Sequence, residues 1–167
     1  MNDDLYTAPK SDLLVNATGQ VFYVVSLKKI LLLFGLTMGV YASYWMYKNW
    51  RFYKDATQEQ LMPIARGIFI VFFIHSLFDR VQEKASRDGI VLDWNRSSLA
   101  TGLVVLYIVG NLAGRLIDKV FNASLAELIS FGALVPIGIL LIKAQAAINA
   151  ACGDQDGLSN SQFTGAN

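Results

Sequence analysis

The chain has 167 residues, a mean hydropathy of +0.41, 54% apolar residues and 16% charged ones, where a soluble domain carries about 25% charged. Fourteen basic residues against thirteen acidic ones leave no cationic footprint for nucleic acid. One cysteine, Cys152, and one histidine, His75, exclude an internal disulfide, a cysteine-built cluster and a multi-histidine metal site. The composition points to an integral membrane protein of about one domain and fixes no activity.

Residues 1–19 are polar, contain Pro9 and Gly19, and read as a flexible N-terminal tail. No basic region precedes an apolar run there, so no cleaved signal peptide is expected. The membrane domain is expected over 20–151. It starts with Gln20–Ser26, β-branched and aromatic, which reads as a strand-like or interfacial segment. Lys28 and Lys29 then mark a water boundary, because lysine stems snorkel to headgroups.

Four apolar stretches follow, at about 30–47, 64–80, 97–115 and 124–143. A spanning helix needs about 20 residues, so the expected fold is all-α, a four-transmembrane-helix bundle. The runs are apolar all round, which argues against barrel strands that alternate apolar and polar positions. The second stretch is short and carries Arg66 and His75, and its alternative is a re-entrant or tilted helix packed inside the bundle.

Between the first two stretches, Tyr41–Lys54 interleaves seven aromatic rings with Lys48, Arg51 and Lys54. Aromatic rings with a polar edge prefer the membrane–water interface. The first span is therefore predicted to continue to Gln60 as an amphipathic interfacial helix, anchored on lipid by Lys48, Trp50, Arg51, Tyr53 and Lys54. Pro63 breaks it. The charged connector 79–96 contains Gly89 as a helix stop and a semi-apolar patch, Ile90–Trp94. Residues 152–167 are small and polar and read as a flexible C-terminal tail.

Within the spans, Gly35, Gly39 and Ser43 recur every four residues, a spacing that lets helices pack closely, within the chain or between copies. Tyr107, Asn111 and Asp118 share one face of the third span with Arg115 beside them. Glu127 stands across a short connector, so an Arg115–Glu127 ion pair would hold that hairpin. The five form a candidate intramembrane polar seam, either a satisfied interface or a path for an ion or small polar solute. His75 and Asp79, four apart, can touch on one helical face. Cys152 reads as a bystander or an acylation site. Asn16, Asn95 and Asn122 open glycosylation triplets that matter only in a glycosylating compartment. With four spans both termini share a side with the middle connector, and eight basic residues there against six opposite lean weakly to cytoplasmic termini.

The stretch Phe22–Phe78 resembles a group of small bacterial inner-membrane proteins with a domain of unknown function. The resemblance rests on Phe22–Ser26 with Lys28, on Thr37, Gly39 and Tyr41, on Tyr44-Trp45-Met46-Tyr47-Lys48-Asn49-Trp50, and on Pro63, Arg66 and Phe69. It extends further if Asn149 and the segment with Asn160, Ser161 and Thr164 belong to it. It implies a multi-pass protein of the bacterial inner membrane with about four helices, and carries over no activity or catalytic residue.

No catalytic or nucleotide-binding motif is present, so no enzyme and no cofactor is expected. The favoured reading is a structural or accessory membrane protein that associates with lipids, with itself or with a larger complex through its helix faces. The alternative is a small oligomeric channel or transporter. Small multidrug exporters have a similar size, but the first span lacks the deep acidic residue their mechanism needs.

Overall fold

The computed structural model describes residues 20–120 and 123–163, with the backbone alone at 111, 113–120 and 123. The described chain is all-α: α1 (Leu27–Leu36), α2 (Tyr41–Thr57), α3 (Pro63–Ile68), α4 (Ile70–Arg87), α5 (Arg96–Val120), α6 (Ala123–Ala151) and a 3-10 turn at Leu158–Asn160. The N-terminal tail with Asn16, and Asn122, lie outside the described residues.

The first apolar stretch does not form one helix. The Lys29 amide donates to Ser26 Oγ at 3.3 Å, which caps the start of α1. Thr37 Oγ1 donates back to the Leu33 carbonyl at 2.8 Å and accepts from the Tyr41 amide at 2.9 Å. Between them Met38 and Gly39 take left-handed φ values of 49° and 89°, and the chain turns round. Neighbours on α6 give the direction. The Val25 amide donates to Asn149, a Cβ on Gly39 would lie 3.0 Å from Leu134, and Trp45 bonds Gln145. So α1 runs antiparallel to α6 and α2 returns alongside it.

The second stretch also breaks. Phe69, at φ −97° and ψ 52°, ends α3 and starts α4. Arg80 on α4 pairs with Glu59, just ahead of α3, at 3.7 Å. In one straight helix Pro63 and Arg80 would be about 25 Å apart, so the chain folds back at Phe69. The stretch is thus two helices rather than one, with Ile68, Phe69 and Phe72 exposed at the turn between them. The fold-back needs Gly67, where a Cβ would lie 2.8 Å from Tyr47 Cβ and 2.9 Å from the Ser43 carbonyl oxygen.

The last two helices form a long antiparallel hairpin. Gly102 faces Leu140 and Gly110 faces Ala133, and continuing that register brings residue 116 level with Glu127. Arg96 pairs with Asp79 at 2.8 Å and His75 lies 3.1 Å from Thr101 Oγ1, fixing α4 against α5. Gly89, at φ 71°, ends the turn after α4, with the Ile90 amide donating to the Ala85 carbonyl at 2.8 Å.

Among the described residues one helix, Ser124–Ala151, is long and apolar enough to cross a membrane, and only 22% of its apolar window is buried. A core helix of a soluble protein would be mostly covered. The core itself gathers at one end of the molecule, where α2 contributes Trp45, Met46, Trp50 and Tyr53 and α4 contributes Ile74, Leu77, Phe78 and Val81, each at helical spacing.

Candidate functional site

The most polar part of the interior is a clamp on the extended segment before α1. Phe22 to Val25 are buried and have no strand beside them among the described residues, so their peptide groups need other partners. Side-chain amides supply them. Asn49 Oδ1 accepts from the Tyr23 amide at 3.2 Å. Gln145 Nε2 donates to the Tyr23 carbonyl at 3.0 Å. Asn149 accepts from the Val25 amide at 3.3 Å and donates to its carbonyl at 3.0 Å. Asn160 Nδ2 donates to the Val24 carbonyl at 3.0 Å. Gln145 also donates to Asn149 at 2.6 Å and accepts from Trp45 Nε1 at 2.5 Å. Asn49, Gln145 and Asn149 are fully buried and satisfied, which makes the site rigid.

The clamp explains what holds the C-terminal segment. Residues 153–163, expected to trail freely, are docked on residues 20–29. Gly157 sits so close that a Cβ would lie 2.5 Å from the Val25 carbonyl carbon and oxygen. Lys29 is buried, not snorkelled. Its Nζ donates to Asn160 Oδ1 and to the Gln162 carbonyl, both at 2.7 Å, and burial lowers its pKa. Asp154 accepts from the Leu158 and Ser159 amides at 3.0 Å each. Cys152 is half-buried against the core and burial pushes its thiol pKa up, so it lacks the exposed, acidified thiol that makes a cysteine reactive.

The predicted lipid anchor is corrected by this packing. Trp50 and Tyr53 face the protein core: Tyr53 stacks on Phe22 at 5.7 Å and Trp50 meets Tyr53 edge-on at 5.8 Å. The extended segment and the α3–α4 fold-back cover the face that sequence reasoning gave to lipid. The Arg66 guanidinium lies 4.0 Å above the Trp50 ring and 5.1 Å from Phe73. Lys48 lies over the rings of Tyr23, Tyr44 and Phe52. Arg51 pairs with Asp55 at 4.0 Å, and Lys54 alone of the five is exposed.

Gly35, Gly39 and Ser43 do not share one helical face, because the turn at Met38–Gly39 separates them. Gly35 faces open space, Gly39 makes the turn against Phe34 and Leu134, and the Ser43 carbonyl abuts Gly67. His75 and Asp79 do not pair; Thr101 and Arg96 take them. Of the polar seam, Tyr107 packs half-buried against the core and Glu127 is exposed. The side chains of Asn111, Arg115 and Asp118 lie outside the described residues.

Away from the clamp the surface is apolar. On α5, Val105, Ile108, Val109 and Leu112 are exposed at helical spacing, and on α6 Leu128, Phe131, Val135 and Ile139 are. The two turns are apolar and exposed as well: Leu36, Met38 and Val40 at one, Ile68, Phe69 and Phe72 at the other, with Met38 65% and Phe72 77% exposed. The registers place both turns at one depth. Gly39 stands beside Leu134, and continuing the Asp79–Arg96 and His75–Thr101 register brings Phe69 level with Tyr107, which the α5–α6 register sets level with Pro136. No charge interrupts 30–47, 97–114 or 128–142, and His75 alone is titratable within 67–78 apart from tyrosines elsewhere in the belt.

Among the described residues no group of three or more histidines, cysteines or carboxylates is placed to hold a metal ion. No protein-family model, curated protein or solved structure matches the chain.

Proposed function

We propose that this chain is an integral membrane protein of structural or accessory type, in which α5 and α6 cross the bilayer while the α1–α2 and α3–α4 hairpins enter from one face and return. The observation that carries the reading is the uncharged belt with its apolar surface turned outward. Between Arg96 and Arg115 the belt is about 28 Å tall, and between Glu127 and Lys143 about 24 Å, against a hydrocarbon core of about 30 Å. The two hairpin turns reach about 12 Å below Lys143, near the bilayer midplane. At the turns the Met38 amide donates to the Gly35 carbonyl, the Gly39 amide to Phe34, the Phe69 amide to Ala65 and the Phe72 amide to Phe69, which meets part of the hydrogen bonding that hydrocarbon requires.

This topology modifies the four-span expectation, which needs the first two stretches to cross completely. It also strengthens the orientation argument. Eleven basic residues, at 28, 29, 48, 51, 54, 66, 80, 84, 87, 96 and 143, fall on the clamp side, and two, Arg115 and Lys119, fall opposite. The positive-inside rule then puts the clamp in the cytoplasm. Location in a bacterial inner membrane is part of the proposal and follows the resemblance carried by Phe22–Phe78. The exposed stripes on α5 and α6 are the faces offered to lipid, to a second copy or to a larger complex.

Single-cysteine variants on a Cys152→Ala background test the topology with a membrane-impermeant maleimide on sealed vesicles. Lys54→Cys and Lys119→Cys label from opposite sides under this reading, and Met38→Cys is protected from both. Labelling of positions 54 and 119 from the same side refutes the folded-back hairpins and restores four spans. The mass of the detergent-extracted particle tests association, since a strict monomer without co-purifying partners counts against the accessory role.

A further inference from the structure

The semi-apolar loop Ile90–Trp94 is used by neither the clamp nor the proposed topology. It overhangs a groove of about 990 Å³ between the start of α5 and the end of α6, at the large end of small-molecule sites. Leu92, Trp94, Leu99 and Leu140 line it, and alanines on α6 leave the room. The wall is pre-set, because Trp94 Nε1 donates to Gln82 at 2.8 Å and its ring packs on Phe78 at 5.1 Å. Two charges also line the groove, Asp93 and Lys143. Both are exposed, and neither forms an ion pair with the other or with any described residue. Lys143 marks the upper limit of the uncharged belt on α6, and Leu140 lies one turn inside it. Val91, an apolar residue 94% exposed, stands at the rim.

We propose that this groove binds one phospholipid with a zwitterionic, primary-amine headgroup, its phosphate on Lys143, its ammonium on Asp93 and its acyl chains leaving past Leu99 and Leu140 into the bilayer. The inference rests on the membrane placement proposed above. The pair of separated, unpaired opposite charges selects the headgroup. A phosphatidylglycerol headgroup places the same phosphate on Lys143 but brings an uncharged glycerol to Asp93, so the carboxylate gains no cation there. A choline headgroup carries its charge without an N–H to donate to the carboxylate. The apolar floor, open to the belt, distinguishes a lipid from a free soluble phosphate.

The test is native mass spectrometry of the full chain in mild detergent, titrated in turn with dioleoyl phosphatidylethanolamine, phosphatidylglycerol and phosphatidylcholine. One phosphatidylethanolamine is expected to be retained at least about fivefold over the other two. Lys143→Ala is expected to lower its affinity roughly tenfold, the size of one charge-assisted hydrogen bond. Asp93→Asn should erase the preference over phosphatidylglycerol, and Ala146→Trp, which fills the groove, should abolish retention with the melting temperature unchanged. Equal retention of all three lipids by the unaltered chain overturns the proposal, as does undiminished phosphatidylethanolamine retention in the Lys143→Ala and Asp93→Asn variants. A chain that stays monodisperse without any amphiphile defeats the membrane reading itself. A detergent-dependent chain without lipid preference defeats only the groove.

Discussion

Replacing Asn149 by alanine is the sharpest test of the clamp. The substitution removes the acceptor of the Val25 amide and the donor to the Val25 carbonyl, at 3.3 and 3.0 Å, and the 2.6 Å contact from Gln145. Val25 is fully buried, so water cannot replace those partners. A buried peptide group left unsatisfied costs about 1–3 kcal/mol, and two of them set the expected loss at about 2–6 kcal/mol. Gln145→Ala strands Trp45 Nε1 and the Tyr23 carbonyl in the same way. The two changes share the Gln145–Asn149 contact, so the double variant should lose less than the sum. Ser159→Ala, which removes exposed hydroxyl contacts with Gln20 at 3.3 Å and with Asp154 and leaves every buried amide paired, is the control and should stay within about 0.5 kcal/mol. Reversible unfolding in micelles followed by tryptophan fluorescence measures the stability, and hydrogen exchange at the Val25 amide reports the local event. Asn149→Ala within about 1 kcal/mol of the unaltered chain, with Val25 still protected, would refute the assignment of the clamp as the stabilising centre.

Gly157→Ala combines a Cβ driven to 2.5 Å from the Val25 carbonyl with a left-handed φ of 64°, so the C-terminal segment should detach and become sensitive to limited proteolysis. Gly67→Ala should separate α3 from α2, because its Cβ meets the Tyr47 and Ser43 main chain or Cβ inside 3 Å. A melting temperature unchanged by that substitution would contradict the fold-back at Phe69. Asp154 has a pKa held below its ordinary 3.8, first by the Ser159 amide and then, against a smaller opposing effect of burial, by the Ser159 hydroxyl and the Leu158 amide. The cap it provides is therefore in place above that value and is lost as pH falls through the depressed one. The Leu158 and Ser159 amide resonances should shift together in acid, and Asp154→Asn should remove the transition.

Local patterns carried much of the fold. Pro63 begins α3 and Gly89 ends the turn after α4, as expected, but α4 runs on to Arg87 through half of the segment expected as a charged connector, because Val81 and Ala85 continue its apolar stripe against the core. The break at Met38–Gly39 was hidden, because Leu36-Thr37-Met38-Gly39-Val40 is as apolar as any spanning helix and only a left-handed pair of φ values turns it. The aromatic-basic string was misassigned for a related reason. Ring and charge composition is the same for a helix lying on lipid and for one covered by its own chain. Asn49, Asn149 and Asn160 entered the sequence reading only through the resemblance and Gln145 not at all, because their common target is an extended segment more than a hundred residues from three of them.

Composition alone carried the expectation of a membrane protein, since a low share of charge and a high share of apolar side chains depend on residue type and not on arrangement, and one helix, Ser124–Ala151, is long and apolar enough to cross a bilayer. Composition also determined helices over strands, because an isolated apolar segment must satisfy its peptide groups internally. Tertiary structure decided which apolar stretches run straight and which turn back, and thereby which end gathers the basic residues. That choice depends on single backbone dihedrals at Met38, Gly39 and Phe69 and on side-chain amides meeting a distant strand-like segment, neither of which leaves a periodic trace in the order of residues.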